Sequence, residues 1–193
     1  DAVAKKGEEI LKSLLEVTKR GDDGINRNVC FCLGLLAEKG TEITAKNAAK
    51  ILETVKEIYD NAEDPGTKDN AVAAIGKMAY SVPSAVPLDI VLPYIMKSLP
   101  LEGDTEENRA MLKLIDFISE KDPQAYEKFK EKCLEFIFNC FKNRKEYKLK
   151  EVHFNIIKKL INKDLENEQK LINSLILDLS AEDQEEFNKV ISQ

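Results

Sequence analysis

Histidine is almost absent: His153 is the single one in 193 residues. That excludes most histidine-based acid–base catalysis and any multi-histidine metal site. Glycine and proline are scarce as well, at 8 and 6, below the average usage of about 7 % and 5 %. No stretch alternates like a strand. No run approaches the roughly 18 apolar residues of a membrane span, and no secretory leader is visible, so no membrane insertion is expected. Basic excess is lacking too. With 29 Lys+Arg against 35 Asp+Glu the formal charge is −6, which argues against a nucleic-acid surface. The four cysteines form no framework. Cys30 and Cys32 sit two apart on one helical pattern, and Cys133 and Cys140 share a face with Phe136 and Ile137. They read as buried small hydrophobes, in neither zinc nor redox spacing.

What is present is helix-forming. Ala, Leu, Glu and Lys dominate, charged residues reach 33 % and apolar ones 43 %, enough for a core and too much for disorder. Period-3.6 patterning predicts helices over about 3–19, 25–38, 44–61 and 67–80, punctuated by Gly21 to Gly24, Gly40 and Asp64 to Gly66. A further helix follows Pro87, with a kink or restart expected at Pro93. Asp104 to Glu107 reads as a capping box opening a helix that ends near Asp122. Pro123 starts a longer helix to about 142; helices over about 148–163 and 166–179 follow, and Ser180 caps the last. The chain opens at Asp1 without an initiator methionine, inside a helical pattern. It is expected to be a piece of a longer protein.

An internal repeat chooses among all-helical architectures. The stretch Asn28 to Ala37 matches Asn70 to Ala79 about 42 residues on, pairing Asn with Asn, Leu33 with Ile75, Gly34 with Gly76 and Ala37 with Ala79. Leu112, Ile115 and Ile118 echo the pattern once more. A glycine inside a helix costs about 1 kcal/mol against alanine, so two at one phase suggest helix faces that approach closely. Two helices per period near 40 is the size of a HEAT or armadillo unit. The fold class expected is all-α: a right-handed α-α superhelix of four to five helix hairpins, forming one array over 1–193. Stacking on two sides would also cover Ile90 and Tyr94, which lie off the apolar stripe of their helix.

The stretches Asp69–Met78 (DNAVAAIGKM), Pro87–Leu101 (PLDIVLPYIMKSLPL) and Asp104–Asn108 (DTEEN) resemble the C-terminal HEAT repeats of importin-beta (karyopherin-beta) family receptors. Within that family they are most similar to the karyopherin beta-three, or Ran-binding protein five, branch. Leu179–Phe187 (LSAEDQEEF) is similar to that branch's closing helix. The resemblance implies a nuclear transport receptor shared between cytoplasm and nucleus. It implies protein cargo with basic localisation segments, and Ran GTPase and nucleoporins engaged through the full-length receptor. It implies no cofactor, no metal and no enzymatic activity. The resemblance is to the family's C-terminal repeats, so the N-terminal repeats that make its main Ran contacts are not expected within this stretch. A HEAT scaffold of another kind, such as a phosphatase scaffold subunit, would carry a ladder of Asp and Arg at fixed positions, and no such ladder is evident in the sequence.

Three features are candidate sites. Glu53, Glu57 and Asp60 fall on the side of their helix away from Ile51, Leu52 and Val55. If that helix is the second of its hairpin, this strip would meet basic cargo; otherwise it is a solvated face. Lys142, Arg144, Lys145, Lys148 and Lys150 form a basic stretch for an acidic partner, with Lys145 and Lys148 its candidate contacts, unless they pair with the acidic tail after Asp164. His153, beside Leu149, Ile156 and Leu160, reads as a packed residue.

Overall fold

A computed structural model of the chain describes residues 2–20 and 22–192, with side chains over 6–19 and 22–191. Asp1, Gly21 and Gln193 lie outside the described residues. Among those described are twelve α-helices and no strand. They are α1 (Ala2–Val17), α2 (Asp23–Lys39), α3 (Thr41–Lys46), α4 (Ala48–Asn61), α5 (Pro65–Ser81) and α6 (Leu88–Ser98). Then come α7 (Asn108–Lys121), α8 (Pro123–Lys128), α9 (Lys130–Lys142), α10 (Glu151–Asp164), α11 (Gln169–Leu177) and α12 (Ala181–Ser192).

Local chemistry sets their ends. Asp22, Asp64 and Asp122 each accept a hydrogen bond from the amide three residues on, at 2.7–3.0 Å, which opens α2, α5 and α8. In the last two a proline follows the cap, where its missing N–H costs nothing. Two of the expected helices are broken, at Asn47 (φ −110°, ψ 13°) and at Phe129 (φ −115°, ψ 13°). The same bend therefore divides α3 from α4 and α8 from α9. Helix α6 runs through Pro93 without the expected restart. Pro93 and Asp89, the residue one turn before it, are both exposed, so the carbonyl left without a donor can be hydrated.

The chain divides into two compact units, one ending at Leu114 and one beginning at Ile115, with the boundary inside α7. In the first unit α2 lies along α5 on small residues. A Cβ on Gly34 would come 2.8 Å from Lys77 Cδ and 3.5 Å from Ala74 Cα, and one on Gly76 would come 2.3 Å from Met111 Cε. The twin glycines are thus the close-approach points of α2 with α5 and of α5 with the start of α7. Helix α5, enclosed on several sides, buries Ala71, Val72, Ala73, Ala74, Met78 and Ala79. Helix α1 packs on α2, and α4 and α6 pack on α5. This is the helix-hairpin stacking of a HEAT-type array, all-α as expected.

Polar rungs join successive hairpins. Asp23 Oδ2 accepts from the amides of Glu63 and Asp64 (3.0 and 2.9 Å), and Asp69 Oδ2 from those of Gly103 and Asp104 (2.6 and 3.0 Å). Each carboxylate thereby satisfies two loop donors ahead of the next helix. Arg27 reaches Asp104 at 2.9 Å, and Asn70 Nδ2 donates to the same carboxylate at 2.8 Å. The rungs comprise one Arg–Asp pair and two Asp–amide contacts, and Asp23 and Asp69 lie 46 residues apart rather than the 42 of the repeat, so they are not Asp and Arg at fixed repeat positions. The rungs also overturn the capping box. Asp104 makes no side-chain cap, since Arg27 and Asn70 hold its carboxylate. Glu107 turns inward to Lys77 at 2.6 Å, with both side chains more than nine-tenths buried.

In the second unit the core is aromatic. Phe136, Phe138 and Phe141 of α9, Ile157, Leu160 and Ile161 of α10, Ile172 of α11 and Phe187 of α12 are all buried, and Phe187 meets the rings of Phe138 and Phe141. Tyr126 donates to the buried carboxylate of Asp164, and Lys163 lies 4.7 Å from the Tyr126 ring centroid. Fully burying one such large side chain is worth about 1.5–3 kcal/mol.

Candidate functional site

The acidic strip lies on α4 because that helix buries Ile51, Val55 and Ile58 against the unit, turning the remaining positions outward. Glu53, Glu57 and Asp60 are all exposed. The strip is not uniformly acidic. Lys56 pairs with Asp60 one turn away, and Lys50 is exposed on the same helix. Hydrogen bonding to Asp60 raises the Lys56 pKa. Glu53 and Glu57 remain, with Glu63 beyond the helix end. Glu57 also lines an open groove of about 370 Å³, whose floor is Leu11 and Leu15 of α1 and whose rim mixes Glu8 and Glu16 with Lys12 and Lys50. Helix α4 packs on α5, the helix that follows it.

Beside the strip lies a feature missed in the sequence. Ile90 and Tyr94 are 59 % and 70 % exposed, so the expected covering by a neighbouring repeat does not occur. They stand one turn apart on α6, with exposed Pro93 between them, and Tyr94 lies within electrostatic reach of Lys56. Their position off the apolar stripe was the available signal; it marks exposure here.

The basic stretch lies in the second unit, on the connection from α9 to α10. Lys145 and Lys148 are exposed, and Lys148 adopts a left-handed backbone (φ 50°). Arg144 behaves differently. It is 7 % exposed and bridges to Asp183 at 2.7 Å and to Glu186 through two nitrogens. Pairing with the acidic tail thus accounts for Arg144. Lys159 likewise pairs with Asp116 and Glu120. Asp183 is held below the usual carboxylate range by its Ser180 and Arg144 hydrogen bonds.

The remaining candidates are structural. His153 is buried, and its Nδ1 accepts the Lys150 amide at 2.9 Å, tying down the first turn of α10. Cys30, Cys133 and Cys140 are buried free thiols; burial pushes Cys30 and Cys133 up to about 12, far from a reactive thiolate. Among the described residues no group of His, Cys, Asp and Glu could hold a metal ion. Among the described residues no helix is long and apolar enough to cross a membrane.

No protein-family model matches the chain. Among curated proteins it is similar to human importin-4, 25 % identical over 114 residues, which is 59 % of this chain and 10 % of the relative. It is similar to the probable importin subunit beta-4 of Schizosaccharomyces pombe, 23 % identical over 107 residues, 55 % of this chain and 10 % of that protein. Mouse importin-4 matches at 25 % over 111 residues. The match spans about a tenth of each relative's length. These partial matches support the importin-beta family.

Proposed function

We propose that this chain is the C-terminal HEAT-repeat array of an importin-beta-type nuclear transport receptor, of the karyopherin beta-three branch. It binds protein partners for nucleocytoplasmic import and moves between cytoplasm and nucleus. The similarity to importin-4 proteins over more than half of the chain carries this reading, and the stacked hairpins of the first unit are in keeping with it. Repeats that contact only their neighbours can sum small rotations into a changed binding surface. Ran GTPase, bound elsewhere in the longer receptor with nucleoporins, would release cargo through differential affinity for two curvatures. No catalytic step is asked of the chain.

Glu53 and Glu57, with Asp60 partly neutralised by Lys56, supply the attraction for basic localisation segments. Lys145 and Lys148 supply a separate contact for an acidic partner surface. The test is anisotropy of a fluorescent Lys/Arg-rich localisation peptide with the chain. Binding should weaken several-fold when salt is doubled, because exposed charges are screened over about 8 Å. Glu53→Lys with Glu57→Lys should abolish it without loss of helicity. Unchanged binding in the double variant would assign the strip to an ordinary solvated face.

A HEAT scaffold subunit of another assembly is the second reading, with the Arg27–Asp104 rung between hairpins in keeping with it. Retention of a phosphatase catalytic subunit, with no response to basic peptides, would transfer the assignment to it.

A further inference from the structure

Helix α12 is attached to the second unit in an unusual way. Of its described side chains, Phe187 alone is buried. That ring sits 4.9 Å from Phe138 and, edge-on, 5.1 Å from Phe141, which meets Phe154 edge-on in turn. The other anchor is Arg144, which bridges to Asp183 and Glu186. Most remaining positions of α12 are polar or charged, from Glu182 and Gln184 to Asn188 and Lys189. A helix of twelve residues is marginal by itself in water, so its order depends on such anchors, together with half-buried Val190 and Ile191 and its packing on α10.

The receiving half is built without α12. Arg144 Nη1 donates to the Phe141 carbonyl at 3.1 Å, and its guanidinium lies 4.8 Å over the Phe141 ring. Phe138 and Phe141 belong to α9, whose neighbours Phe136, Ile137 and Cys140 are buried in the core. What remains if α12 lifts is an aromatic cleft with a fixed, forked cation at its mouth. Exposed Lys142 and Lys145 border the same entrance, an open groove of about 250 Å³. The fork suits paired carboxylates, and the rings suit an aromatic in edge-on contact. Asp183, Glu186 and Phe187 present these three groups at i, i+3 and i+4, on one helical face.

We propose that the cleft of Phe138, Phe141 and Arg144 is a docking site for an acidic–aromatic helical segment, with α12 as its resident occupant. A partner segment that places two carboxylates and an aromatic ring at the same spacing displaces α12 and takes its seat. The cleft is thereby closed until such a partner arrives. This inference is independent of the transport reading, since it rests on the second unit alone.

Two measurements on the full 193-residue chain decide it. Hydrogen exchange should show α12 amides opening at least about tenfold faster than those of α9 and α10, as expected of a separately opening segment. A fluorescein-labelled peptide of residues 178–193, added in trans, should bind the Phe187→Ala chain about tenfold more tightly than the unaltered chain, whose cleft is occupied. The Asp183→Asn, Glu186→Gln chain, altered only at partly exposed positions, should capture the peptide likewise. Adding Arg144→Gln to either should remove the gain. Exchange of α12 at the rate of α9 would overturn the proposal, as would equal peptide binding to the altered and unaltered chains, or binding to none.

Discussion

Removing the carboxylate of Glu107 tests the buried charge at the centre of the first unit. Lys77 and Glu107 have side chains 7 % and 8 % exposed and meet at 2.6 Å. The ammonium also lies 5.2 Å from the Phe31 ring centroid, and the Lys77 stem fills the space that Gly34 leaves open. Glu107→Ala therefore strands a cation between α2, α5 and the start of α7. Breaking a buried pair on one side costs about 3–5 kcal/mol, whereas replacing both partners with apolar groups of like volume is neutral or stabilising. With a urea slope of about 2 kcal/mol/M, the midpoint should fall by roughly 1.5–2.5 M. Lys77→Met should cost less than Glu107→Ala, because the Phe31 and Gly34 contacts keep a partner of similar shape. The double variant Lys77→Met, Glu107→Leu should return close to the unaltered chain. Urea unfolding followed by circular dichroism, arranged as a double-mutant cycle, reads all four species. A Glu107→Ala cost below about 1 kcal/mol, or singles that simply add in the double variant, would refute the reasoning.

The other predictions follow from the same contacts. Gly34→Leu should destabilise by about 1–3 kcal/mol through overpacking, and a rise in melting temperature would show that α2 and α5 do not approach closely there. Gly103→Ala should be costly for a different reason, since its Cβ would lie 2.4 Å from the Gly66 amide nitrogen and backbone must move; Gly76→Ala, which meets the flexible end of Met111, should cost less in the same assay. Of the four thiols, Cys32 is the half-buried one, so thiol titration of the folded chain should label it first, with Cys30, Cys133 and Cys140 reacting only on unfolding. Burial raises the Glu38 pKa, but the Tyr80 hydrogen bond and Lys113 outweigh it and leave the carboxyl lowered. Its contribution is therefore present above the unfolded value of about 4.3 and lost as pH falls through the lower folded value. Tyr80→Phe should raise the acid-unfolding midpoint, and an unmoved midpoint would count against that hydrogen bond.

Much of the fold was legible in the sequence because it rests on local rules. The 3.6 period and the starts at Asp64-Pro65 and Pro123 act over one or two turns and led to the helices and their order, while the 42-residue recurrence of Gly34 at Gly76 led to their hairpin stacking. The buried face of α4 and the outward turn of Glu53, Glu57 and Asp60 follow from the same period. What tertiary structure alone decided concerns the partners of polar groups. Asp104 and Glu107 have the spacing of a cap, yet Arg27, Asn70 and Lys77, distant in sequence, take their carboxylates. Ile90 and Tyr94 are off-stripe in sequence, but only the packing of α6 on α5 left them exposed. Arg144 and Lys145 are neighbouring cations of one basic stretch until α12 supplies Asp183 and Glu186 to one and leaves the other exposed. A helix period records which way a side chain points, whereas a charge pair depends on where two distant segments meet, and that is settled by packing.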